Sequence, residues 1–309
     1  MRGPDPCRRE AGRLRSIPVV PHGRFGRCAG RRAGDHRPPR TRGVPDRPLP
    51  IRHASRNACA DALRDPSLPL QERRQEGSTM IHVHYFITRK PEMDEVAFHR
   101  YWREVHAPIV VKIPQLRRYV QSHRIDTARS NSAYDEHVSP YDGVAEVLLE
   151  GLDAFAALRE SSEYLEGALV DERNFIDLTR VEWMVTEDHV ILDGPTGGSL
   201  VKGVWQLKRK PGMALADFRK YWIDVHGALA IELPGVRRYV QSHLIDEAYL
   251  YAEPRHDGVA QLWFDSAAGL AAAFDSPAGK ELQTDGPKMF DMHLLRFFLA
   301  QEHVVIASR

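Results

Sequence analysis

The sequence predicts an α+β fold in which two tandem ferredoxin-like βαββαβ modules close into one pseudo-dimeric α+β barrel. Three observations predict it. The run RRYVQSH at 117–123 recurs unchanged at 237–243. Each copy alternates period-2 and period-3.6 apolar patterns in the order strand, helix, strand, strand, helix, strand. A four-stranded sheet with both helices on one face leaves its other face bare, and a second copy in the same chain can cover it.

The elements follow in order. Lys90-Pro91 matches Lys210-Pro211 at an offset of 120, which places strands at 81–87 and 201–207 just before them. Phe98, Tyr101, Trp102 and Val105 stand at i, i+3, i+4 and i+7, one face of a helix, and Phe218, Tyr221, Trp222 and Val225 repeat them. The RRYVQSH run is the second strand. Asp142-Gly143 and Asp257-Gly258 read as turns into third strands at 143–149 and 258–264. Second helices are expected over 152–169 and 270–282, and closing strands over 180–185 and 295–300. Gly194-Pro195-Thr196-Gly197-Gly198 marks a linker between modules at 80–192 and 200–309.

The net charge of +1 averages two unlike segments. Residues 1–79 hold 18 Arg, no Lys and 8 acidic residues, whereas 80–309 hold 25 basic and 34 acidic ones. A uniformly basic nucleic-acid binder is therefore not the reading of the main body. The first segment carries 11 of the 21 prolines and a single aromatic, Phe25, too little apolar area to offset its ordering entropy. It reads as a disordered extension, and its GC-rich codon bias suggests sequence upstream of a start at Met80. Cys7, Cys28 and Cys59 all lie there, so 80–309 has no thiolate nucleophile, disulfide or Cys-ligated metal. No stretch is apolar enough to span a membrane, and a cytoplasmic protein is expected.

The pattern Phe98-x-x-Tyr101-Trp102-x-x-x-His106-Ala107-Pro108 resembles the signature of the EthD family, small proteins of the dimeric α+β barrel superfamily. The resemblance covers nearly all of 80–309, twice. The second copy departs from it, with Gly227-Ala228 after His226. It implies a cofactor-free enzyme of the dehydratase, decarboxylase or cyclase kind, and more distant barrels bind haem.

His106 and His226 are the first candidates for catalysis, since imidazole titrates near neutral pH; a helix C-terminal cap is the alternative. Tyr119, Gln121 and His123, with Tyr239, Gln241 and His243, alternate on their strands and so share one face. That face is expected to line the barrel cavity. There the histidines would be catalytic and the Tyr and Gln would bind substrate, unless the row is a hydrogen-bond network that docks the two sheets. Tyr101, Trp102, Tyr221 and Trp222 are either ligand contacts or core. Arg118 and Arg238 suit a carboxylate or a solvated pairing. His82 and His84 share a strand face, but Lys202 and Val204 replace them in the second copy, so no metal is expected.

These readings favour a lyase, isomerase or cyclase acting on a small carbonyl or polyketide-like metabolite without an organic cofactor. The alternatives are a non-catalytic binding protein serving a partner oxygenase, or a haem-binding barrel. Neither nucleic acid nor membrane is expected as a partner, and the chain is either a monomeric pseudo-dimer or a homodimer.

Overall fold

The computed structural model describes residues 80–125, 137–250 and 252–309. The expectations for residues 1–79 fall outside them. The first module runs β1 (Ile81–Ile87), α1, β2 (Arg118–Arg124), β3 (Gly143–Leu149), α2 (Gly151–Glu160), α3 and β4 (Glu182–Leu192). Helix α1 begins as Glu95–Tyr101, passes through a π-helical turn at Trp102–His106 and ends as Ala107–Val110. Helix α3 opens with a π-helical stretch, Glu163–Ala168, and continues as Leu169–Phe175. The second module repeats this with β5 (Val201–Leu207), α4 (Leu215–Tyr221, Trp222–His226 and Gly227–Ala230), β6 (Arg238–Leu244), β7 (Gly258–Phe264), α5 (Ala267–Asp275), α6 (Pro277–Met289) and β8 (Arg296–Ile306).

All eight strands form one closed antiparallel barrel in the order β1-β3-β2-β8-β5-β7-β6-β4. Closure depends on β4 and β8, which run well past their expected ends to 11 residues each. The first half of β4 pairs with β1, and the second half crosses to β6 of the other module. Strand β8 does the same with β5 and β2. A barrel has no unpaired edge strand to protect.

Two corrections concern which way side chains point. Val105 and Val225 are 44% and 40% exposed, although their spacing from Phe98 and Phe218 placed them on the buried face. The cause is the π turn, in which the N–H of Ala107 reaches back five residues to Trp102. Its extra residue rotates the helix, and His106 comes inward in place of Val105. The same turn occurs in α4 despite the missing proline, so Pro108 is not needed for it.

The second correction concerns the Tyr-Gln-His rows. They face the helices outside the barrel, not its interior. Trp102 sets this face. Its ring fills a slot over Gly143, where a Cβ would lie 2.6 Å from the indole and 2.7 Å from the Ser122 carbonyl. Gly258 makes the same slot for Trp222. The Asp-Gly pairs are therefore not simple turns: the glycine clears space for tryptophan, and Asp142 accepts a bond from the Arg89 backbone N–H at 2.8 Å, as Asp257 does from Arg209 at 2.7 Å.

Candidate functional site

The layer between helices and barrel holds two matching sets of polar side chains. His106 Nδ1 lies 2.8 Å from one carboxylate oxygen of Asp171, and the Tyr101 hydroxyl donates to the other at 2.7 Å. In the second module His226 Nδ1 lies 2.9 Å from Asp285, and Tyr221 donates to Asp285 at 2.7 Å. With the carboxylate accepting at Nδ1, each imidazole keeps its lone pair on Nε2. Burial pushes both histidines below their usual range against the pull of the aspartates, so the rings are neutral near pH 7. Burial alone would raise Asp171, but bonds from Tyr101, His106 and Asn174 outweigh it and hold the carboxyl low.

Sequence comparison missed Asp171 and Asp285 because their offset is 114, not 120. The bridges Arg89–Ile176 and Arg209–Phe290 fix that shifted register. The signal lay in the closing strands, where His189 and His303 are also 114 apart.

The Tyr-Gln-His rows pack beneath these sets. Gln121 Nε2 donates to the Trp102 carbonyl at 2.9 Å, and Gln241 to the Trp222 carbonyl at 2.8 Å. Each amide thus bonds the carbonyl at the start of the π turn, and each lies within reach of its own Tyr119 or Tyr239 hydroxyl. The tyrosines are 1% exposed, and burial raises both above the usual phenol range. His123 packs on Trp102 with ring centroids 4.3 Å apart, and His243 lies flat on Trp222 at 4.4 Å. Burial carries these two imidazoles down to about 2 and about 3. Each also holds its Gln121 or Gln241 side-chain oxygen at 3.1 Å through Nε2. His99, which Arg219 replaces in the second module, lies 2.9 Å from His123, nitrogen to nitrogen.

His303 packs edge-on against His123 at 4.6 Å and lines an open groove of about 690 Å³ with Arg103, Ala107, Pro108, Val111 and Val304. A second groove, of about 370 Å³, brings Arg118 and Arg238 together beside the linker residues Gly194 and Thr196. Arg238 pairs with Asp193, and Arg118 donates to Thr196 at 3.4 Å.

The barrel interior, expected to be lined by the Tyr-Gln-His rows, holds a charged network. Lys202 is fully buried and donates to Glu146 at 2.5 Å and Glu302 at 2.9 Å. Gln261 and Ser122 also bond Glu146. Across from them, His82 Nδ1 lies 2.9 Å from Asp188, and Ser242 donates to the second oxygen of Asp188 at 2.6 Å. Burial opposes ionisation of Glu146, but Lys202 and His82 hold it down at about 2.

Residues 90–179 and 210–293 each match the EthD domain. The chain belongs to the EthD family. Over 112 residues, a third of this chain and 83% of the relative, it is 27% identical to Dehydratase CTB10 of Cercospora beticola. Among solved structures, an anthrone oxidase-like protein aligns with a TM-score of 0.50 at 12% identity, covering 74% of this chain and 94% of that one. A haem-binding protein from Thermus thermophilus aligns with a TM-score of 0.43 at 12% identity, covering 72% and 91%. At 12% identity the likeness to the anthrone oxidase-like protein shows the fold alone. In this EthD chain Trp102 and Trp222 lie directly against the His123 and His243 rings, so neither of those two imidazoles offers that face to a haem. Among the described residues no helix is long and apolar enough to cross a membrane.

Proposed function

We propose that the chain is a cofactor-independent lyase of the dehydratase type acting on a small β-hydroxy carbonyl compound, with His106 and His226 as its acid/base groups. The observation that carries this reading is the Tyr–Asp–His set built twice, at 2.7–2.9 Å in both modules. A structural cap needs no buried aspartate behind the imidazole, whereas a base does, because the carboxylate fixes the tautomer and stabilises the imidazolium that forms. The likeness to a relative named as a dehydratase supports the reaction class.

In the reaction, Nε2 takes the proton from the carbon next to the carbonyl. The electron pair moves to form the new double bond as the β-carbon–oxygen bond breaks. The imidazolium then returns its proton to the departing hydroxyl, which leaves as water. Gln121 and Gln241 are positioning residues that hold the π turn, and Arg118 with Arg238 suits a carboxylate on a larger substrate.

The test is His106→Asn together with His226→Asn, assayed on hydroxylated polyketide-type ketones, with water loss followed by mass spectrometry. The double variant is expected to lose about 10²–10⁴ in kcat while its circular dichroism is unchanged. Full turnover in that variant overturns the proposal. Ligand binding without turnover in either form also overturns it, in favour of an accessory binding role.

A further inference from the structure

The barrel interior contains a polar group the rest of the network does not use. His84 is 0% exposed, and neither ring nitrogen has a hydrogen-bond partner. Leaving a buried imidazole unbonded is destabilising, so its presence there needs a reason. Its neighbours supply one. His82, two residues earlier on the same face of β1, packs 4.0 Å away, centroid to centroid. Asp188 stands on β4, two residues past Thr186, the register partner of His82. One ligand atom from each of His82, His84 and Asp188 lies within 4.8 Å of the others.

The second module shows what belongs in that space. Lys202 stands at the place of His82, Val204 at that of His84, and Glu302 at that of Asp188. There the Lys202 ammonium lies 2.9 Å from Glu302. A fixed cation occupies one half of the barrel, and in the other half the lysine and valine are exchanged for two imidazoles facing a carboxylate.

We propose that His82, His84 and Asp188 bind a divalent first-row transition metal inside the first module's half of the barrel. Two imidazoles and one carboxylate suit zinc, cobalt or iron, and leave coordination positions open. Ser242 bonds the free oxygen of Asp188 at 2.6 Å and so orients the ligand from behind. Glu146 lies 3.7 Å from His82 Nε2, with its other oxygen held by Lys202. The Asp188 side chain is 30% exposed, which gives an ion its way in from the barrel mouth. The second module does without the His pair because its lysine already supplies the positive charge.

The experiment uses the full chain, stripped of metal and titrated with Co(II) and Zn(II). One ion per chain is expected, with a Co(II) visible spectrum of nitrogen and oxygen ligands and no thiolate charge-transfer band. His84→Val alone, and His82→Lys with His84→Val, copy the second module and so preserve packing. Both are expected to weaken binding at least 100-fold while unfolding cooperatively like the parent. Absence of stoichiometric binding by the parent overturns the proposal. So does binding that survives His84→Val, or a thiolate band, which would place the ion on Cys7, Cys28 or Cys59.

Discussion

On the inner wall of the first module, β1 carries His82 and His84 beside Asp188; at the same places in the second, β5 carries Lys202 and Val204 beside Glu302. Outside the barrel the modules scarcely differ. Trp102 and Trp222 fill the same glycine slots, Gln121 and Gln241 bond the same carbonyls, and both histidines find their aspartates. The contrast separates two kinds of constraint. The helix-to-sheet layer depends on close shape, where one added carbon clashes. The interior depends on charge balance, which several residue sets can satisfy.

The largest effect expected from that contrast comes from Lys202→Met. It leaves Glu146 and Glu302 buried without their cation and should cost about 3–5 kcal/mol in urea unfolding. Asp188→Asn in the first module should cost less, because Asp188 reaches solvent. Equal losses would mean that the two halves carry charge alike.

A second asymmetry is read by pH. Glu172 lies buried beside the Tyr85 hydroxyl at 3.2 Å, and burial raises its carboxyl from 4.5 to about 8. Its counterpart in the second module is Gly286. Between these pH values the folded chain keeps a proton that the unfolded chain has lost, so this group makes stability fall as pH rises through the window. Glu172→Gln should flatten that slope, by up to roughly 1.4 kcal/mol per pH unit. An unchanged slope would show that the carboxyl is ionised in the fold.

The smallest effect tests what the modules share. Val105→Lys and Val225→Lys should each change stability by no more than about 0.5 kcal/mol, because the π turn points both valines outward. A large loss at either would restore the regular helical face that the spacing suggested.

Much of the fold was legible because its signals are periodic. Alternation along RRYVQSH identified a strand and put Tyr119, Gln121 and His123 on one face. Alternation gives the parity of a strand and not which face meets the core; Trp102 and Gly143 decide that, from elements distant in sequence. Val105 was misplaced because a π turn leaves no mark in a 3.6-residue pattern. Asp171 and Asp285 escaped notice because the spacing between repeats slips from 120 to 114 residues before reaching them. The buried charges were hard to see for another reason. Lys202 and Glu302 pair across 100 residues of chain, and nothing local to either predicts the other.

The crossing of β4 and β8 has a consequence for how such a chain can diverge. When two separate identical subunits trade strands, every inward residue is repeated across the symmetry axis, those near the axis meet their own twins, and any change is made in both places at once. A charge placed at Glu146 would then stand opposite a second copy of itself. Fusing the subunits lifts that rule, so Glu146 can be answered by Gln261 and a lysine can stand where the other half has His82, and one half of the molecule is free to take up chemistry that the other half need not perform.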